Sequence, residues 1–559
     1  MGDYYLLIQA VLIPIIMSPV AFFIGRRFGS RATIWFSFAI LLYSTFALFG
    51  ATNTSNPVSE TYTWFPASLA GSGLLSSIGT FGLYLDGISI PFALTIYIIC
   101  TSVALYSFPY MKHRILEQEQ EEEKSMHMSD VSGTQVPIPV DSSSTAGGIT
   151  VTEQVASKHI QESPRMRSRF GLYSGLLLLY SAGMLGTVLA TNLIELYFFF
   201  EFMLVPSYFL IAEFGYGARG RISLMYLLWT HIGALLMLLA FLAIGSETGN
   251  FVFLGPGAMT AVHIAASVLP LIVFAIVVGL FVKLAAFGLH IWLPYAHGEA
   301  PTPISALLSP AMIGIGGYII IRIFTLLLPN AYTEISLGIA VWGIVTMFYG
   351  GLMALAQDDI KRLFAYSSVS QMGYIIFGIA TASSLGVAGS VFQFVSHGTA
   401  KAILFMVAGM IIVQAGGLRS IKNMGGLSAK LPITATCAAI GFLGLLGFPE
   451  TNGFQSEWLI FAGGLRLGSL PGSYASYWLL LSILAVISTI ITASYALWTM
   501  KRVFFGKLPD NLSNVKEGSA YMLAPIIFLA FLTIFLGVFP NIVDAPLFHT
   551  ISNLPFPLR

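Results

Sequence analysis

Six ionisable residues stand inside stretches otherwise apolar enough to be buried in a membrane: Glu201, Lys283, His290, His397, Lys401 and Glu457. A charge at membrane depth is costly, so such residues line ion or proton paths far more often than they serve packing. Lys283 and His290 are seven apart, which on a continuous helix puts them on roughly one face. Pro294, His297, Glu299 and the Ala-Pro-Thr-Pro of 300–303 follow. The prolines are expected to break that helix and free backbone groups that protein or water must satisfy. His397 and Lys401 are four apart and share a helix face. Glu457 follows a second Pro- and Gly-rich interruption, GFPETNGF. Glu201 reads as a charge partner for Lys283, the alternative being a neutral buried carboxyl. Glu195, nearer the start of its helix, reads as interfacial, and Glu213 as solvated. His231 is a further candidate. Arg322 is expected to anchor to backbone carbonyls.

The elements that must carry these residues follow from composition. The 559 residues are 56% hydrophobic and only 9% charged. Soluble domains carry about a quarter charged residues. Apolar stretches of about 20 residues recur, so the fold class is all-α: a polytopic membrane protein of about 14 transmembrane helices. Placing the N-terminus outside and alternating puts 21 of the 26 lysines and arginines in cytoplasmic segments. That asymmetry supports outside termini at both ends; the expected setting is a prokaryotic cell membrane. Residues 1–111 hold helices 1–3. Residues 112–169, with the run EQEQEEEK and then Ser, Thr, Gly and Pro, read as a disordered cytoplasmic insertion, either a linker or a docking segment for a soluble partner. Residues 170–328 and 334–503 hold helices 4–8 and 9–13, and 521–559 hold helix 14 and a tail. In each five-helix unit the fourth helix is broken, and an odd unit repeated in sequence must invert in the membrane.

The two cysteines, Cys100 and Cys437, cannot form a disulfide framework or a metal cluster. Walker loops, dinucleotide fingerprints and His-Glu-x-x-His are absent. No cofactor and no metal is therefore expected in this chain.

Several segments resemble the antiporter-like membrane subunits of respiratory complex I, most closely subunit M (chain 4) and its archaeal F420H2-dehydrogenase relatives. They are LDGISIPF (85–92), LYFFFEFMLVPSYFLI (196–211), VKLAAFGLHIWLPYAHGEAPTPISALL (282–308), DDIKRLFAYSSVSQMGY (358–374), VSHGTAKAILFMVAG (395–409) and GFQSEWLIF (453–461). The resemblance implies a proton-translocating subunit of an NADH- or F420H2-quinone oxidoreductase. Its partners would be other membrane subunits and the iron–sulfur and quinone-site subunits, and the redox chemistry would lie outside this chain. It also implies that Glu201, Lys283 and Glu457 are the family's fifth-helix acid, seventh-helix lysine and terminal acid. Two positions depart from the family pattern. Gly314 stands where the eighth helix usually carries lysine, and Tyr295 stands where LPDAH has aspartate. The space at Gly314 is expected to hold water joining His290 to the His397–Lys401 pair, the alternative being close helix packing. Two other functions share the motifs: a subunit of a multisubunit sodium or potassium/proton antiporter, and a membrane module without transport.

Overall fold

A computed structural model describes residues 5–52, 56–63, 80–131 and 162–554. In chain order the helices and strands are α1 (Leu6–Phe28), α2 (Ser30–Thr52), β1 (Val58–Thr63), β2 (Thr80–Leu85), α3 (Ser89–Val131), α4 (Pro164–Leu189), α5 (Leu193–Phe214) and α6 (Arg219–Thr248). Next come α7 (Leu269–Lys283), α8 (Trp292–Glu299), α9 (Thr302–Leu307), a π-helical turn (Leu308–Met312), α10 (Ile315–Leu326), α11 (Pro329–Leu355), α12 (Ile360–Ala380) and α13 (Ser384–Gln414). The chain continues through α14 (Pro432–Leu445), α15 (Asn452–Ser469), α16 (Ala475–Phe504), α17 (Ala520–Val538) and α18 (Asn541–Ile551).

Twelve spans among the described residues are long and apolar enough to cross a membrane, counting α9–α10 as one. Two shorter apolar helices, α7 and α14, begin the two broken segments and bring the helical crossings to the expected number. Close packing relies on small residues where helices cross. Gly25 of α1 meets Gly171 of α4 so tightly that a Cβ on Gly25 would lie 2.4 Å from the Gly171 Cα. Without a hydrophobic drive between helices in lipid, such contacts supply the association.

The first break falls earlier than the prolines suggest. α7 ends at Lys283 itself, and the chain turns through Ala285 (φ 52°) and Gly288 (φ 84°) before α8 begins. Lys283 and His290 therefore do not share a helix face. Pro301 instead separates α8 from α9, Pro303 stands in the first turn of α9, where its missing N–H costs nothing, and Pro310 sits in the π turn, where the ladder is already widened. The second break, between α14 and α15, passes through Gly447 (φ 61°) and Glu450 (φ 72°).

Two features were not anticipated. Strands β1 and β2 pair antiparallel, Val58 opposite Leu85, and the Glu60 carboxylate accepts the Leu7 and Ile8 N–H groups at the start of α1 (2.9 and 2.8 Å). The expected disordered insertion is helical over 112–131, because α3 runs on past the membrane. Its charges are paired rather than merely solvated. Arg114 is buried, donates to Phe214 O (3.2 Å) and Gly215 O (2.5 Å) at the end of α5, and pairs with Glu117 (2.9 Å). Glu122 pairs with Arg165 and Arg169, which stand in the first turns of α4 rather than in a linker. The rest of the insertion, 132–161, lies outside the described residues.

Candidate functional site

The first half of the site lies between α5, α6 and α7. Glu201 is on the third turn of α5, and its carboxylate bonds His231 Nδ1 of α6 at 2.8 Å. The direct partner is thus the histidine rather than Lys283. The Lys283 ammonium is buried, 4.7 Å from the centre of the Phe200 ring, and has no hydrogen-bond partner. It remains within the field of Glu201. Lys283 is the last residue of α7, where the helix gives way to an irregular turn. His290, in that turn, reaches Tyr349 Oη of α11 (3.3 Å).

The second half is built on α12 and α13. Lys401 donates to Phe364 O (3.0 Å) and to Ser367 Oγ. Phe364 O also accepts from Ser368 (2.9 Å), whose hydroxyl meets Ser309 of the π turn (2.6 Å). His397 is buried with neither ring nitrogen partnered, and it does not bond Lys401. His297, one turn before the prolines, is likewise buried and unpartnered, stacked on Phe405 with ring centres 5.0 Å apart. Glu457 is buried on α15. Its Oε2 lies so close to Gly447 that a Cβ there would be only 2.5 Å away, so the left-handed glycine leaves room for the carboxylate.

Other expectations are corrected. Gly314 does not open a space: a Cβ there would lie 2.3 Å from the Phe394 ring. Close packing accounts for the glycine, and a Ser309–Ser368 hydrogen bond joins the eighth segment to the second half. Arg322 binds a carboxylate, Asp86, rather than carbonyls. Glu195 is not interfacial but buried. It accepts from Gly82 N (3.2 Å) and sits three residues after the helix-capping Asn192. Glu213 is exposed, as expected.

Sequence reasoning missed three groups. Lys361, counted as a cytoplasmic cation, is fully buried and donates to Gly298 O (3.3 Å) and Ala300 O, carbonyls beside the amide-less prolines. Gln371 and Gln393 form a buried amide chain. Ser456 Oγ donates to Gln393 (2.5 Å), Gln393 to Gln371 (2.5 Å), and Gln371 to Leu445 O (3.4 Å) at the end of α14. Two glutamines inside apolar runs were the available signal. Asp86, the third, sat in plain view in LDGIS. Among the described residues no cluster of His, Cys, Asp or Glu could hold a metal ion.

Two broken helices, each with a buried ionisable group at or beside the break, define a polytopic membrane protein of the ion-translocating class. The chain belongs to the antiporter-like membrane subunits: the family "NADH:quinone oxidoreductase/Mrp antiporter, TM" matches residues 190–492, and "NADH-Ubiquinone oxidoreductase (complex I), chain 5 N-terminus" matches 77–118. It is 34% identical over 386 residues to F420H2 dehydrogenase subunit M of Methanosarcina mazei, covering 66% of this chain and 74% of that one. It is 31% identical over 378 residues to NADH-quinone oxidoreductase subunit M of Rickettsia bellii, covering 67% and 74%. The fold matches a chain of respiratory complex I from Thermus thermophilus with TM-score 0.74 at 23% identity, over 98% of both chains. It also matches the Mrp complex of Dietzia sp. with TM-score 0.75 at 23% identity, over 99% of this chain and 53% of that one.

Proposed function

We propose that this chain is the proton-translocating membrane subunit of a complex I-like NADH- or F420H2-quinone oxidoreductase. The observation that carries this reading is Lys283: a buried ammonium without a hydrogen bond, held at a helix break within the field of Glu201. An amine so placed takes or releases a proton when the carboxylate's charge is moved or neutralised. Glu201, Lys283, His290, His397, Lys401 and Glu457 are the proposed relay. Electron transfer belongs to partner subunits, with no redox cofactor in this chain, and the other membrane subunits and the iron–sulfur and quinone-site subunits are its proposed partners. The proposed setting is a prokaryotic cell membrane with both termini outside.

The test is Glu201→Gln and Lys283→Met in the purified complex, reconstituted in proteoliposomes. Both assemble, and both lose most redox-coupled proton pumping. Pumping at the wild-type proton-to-electron ratio would make the pair structural. A second reading, a subunit of a multisubunit cation/proton antiporter, rests on the fold match to the Mrp complex. Sodium or potassium transport by membranes carrying the complex, without any electron donor, would favour it.

A further inference from the structure

α18 follows the last membrane crossing and packs back onto the bundle. Val543 meets Phe392 and Val395 of α13, and Thr550 Oγ1 accepts the Gly87 N–H beside Asp86 (3.0 Å). On the face turned inward it carries Asp544, only 6% exposed. Gln455 Nε2, on α15, donates to Asp544 Oδ2 at 2.7 Å. The other oxygen, Oδ1, is buried without a partner. No lysine, arginine or histidine forms an ion pair with Asp544 among the described residues. Gln455 of α15 is the group that meets its carboxylate, and Phe392 and Val395 of α13 pack on the neighbouring Val543. An unneutralised buried carboxylate is costly as a mere tether, because an amide would hold Gln455 without the penalty.

We propose that Asp544 is the outer-side proton-release group of the second half, receiving the proton that leaves Glu457 and giving it to water outside. The proposal rests on the translocation reading above. Gln455 lies two residues before Glu457, so the hydrogen bond joins Asp544 to the helix that bears the terminal acid. The step balances simply. The Asp544 carboxylate takes one proton through its unpartnered oxygen, and the carboxyl then loses it to the outer aqueous phase. Burial, opposed by the Gln455 hydrogen bond, pushes the Asp544 carboxyl up to about 6, where it exchanges with water near neutral pH.

The experiment compares Asp544→Asn, Asp544→Glu and Glu457→Gln in the assembled complex in proteoliposomes, with native gels for assembly. Asp544→Asn keeps an oxygen for Gln455 but cannot carry a proton, so it assembles and its proton-to-electron ratio falls several-fold less than that of Glu457→Gln but clearly below wild type. Asp544→Glu restores most of the loss. Wild-type pumping slows as the outer pH falls through about 6, where a carboxyl no longer releases its proton, and Asp544→Asn flattens that dependence. Wild-type pumping by Asp544→Asn overturns the proposal. So does an equal loss in the Asn and Glu variants, or failure of Asp544→Asn to assemble, since each assigns the residue to packing. Normal pumping by Glu457→Gln would instead strike the translocation reading itself.

Discussion

Arg322 and Asp86, 236 positions apart, form a two-armed ion pair with both side chains buried; Nη1 lies 2.8 Å from Oδ2, and Nη2 bonds Oδ1. The same Asp86 oxygen accepts the Ile88 and Ser89 N–H groups (3.1 and 2.9 Å). One carboxylate thus caps α3 and fastens the end of the broken eighth segment to it. Tyr318 adds a bond to Val188 O (2.5 Å) one turn away.

Removing one member of this pair leaves a buried charge unpaired. Arg322→Met or Asp86→Leu alone should destabilise the purified complex by about 3–5 kcal/mol. The double variant should cost clearly less than the sum of the two. Thermal unfolding of all three gives the coupling, and strict additivity would show that the pair does not act as a unit.

The Glu201–His231 contact predicts that His231→Phe lowers pumping as Glu201→Gln does. Without the imidazole the carboxylate loses its 2.8 Å partner, and its interaction with Lys283 changes. If His231→Phe pumps normally while Glu201→Gln does not, Glu201 works through Lys283 alone.

Gly447→Ala should assemble and impair pumping. The new methyl falls 2.5 Å from Glu457 Oε2, and alanine is disfavoured at φ 61°. Gly472→Ala, which meets nothing within 4 Å, is the silent control. Equal activity of the two variants would remove Gly447 from any role in seating Glu457.

Gly314→Leu and Gly314→Lys should both fail to assemble, through collision with Phe394. Adding Phe394→Ala should restore assembly of Gly314→Leu. A Gly314→Leu complex that assembles and pumps would show that this contact yields.

Deleting 132–161 should leave assembly and pumping intact. A deletion that begins at Glu117 should not, because it takes away Gln118, whose amide reaches Glu213 O (3.1 Å), and the Glu122 partner of Arg165 and Arg169. Native gels of both deletions decide. For orientation, a cysteine at Ser142 should be labelled only from the cytoplasm and one at Asn56 only from outside; the reverse pattern would overturn the assignment.

The number of crossings, the two broken segments and the buried acids and bases were legible in the chain itself. Apolar length marks a span, and an ionisable residue within one is conspicuous whatever its neighbours are. Pairing was not legible. Glu201 with His231, Arg322 with Asp86 and Lys401 with Ser367 join residues on different helices, and spacing along one helix says nothing about which side chain a neighbouring helix presents. The site of the first break also waited on the fold, because it depends on Ala285 adopting a positive φ that its residue type disfavours. The meaning of Gly314 turned on a ring from α13: the same absent side chain reads as space or as contact until Phe394 is placed against it. Sequence determined what this chain could titrate and how often it crosses the membrane; tertiary packing decided which groups meet, since that depends on distances between helices rather than along them.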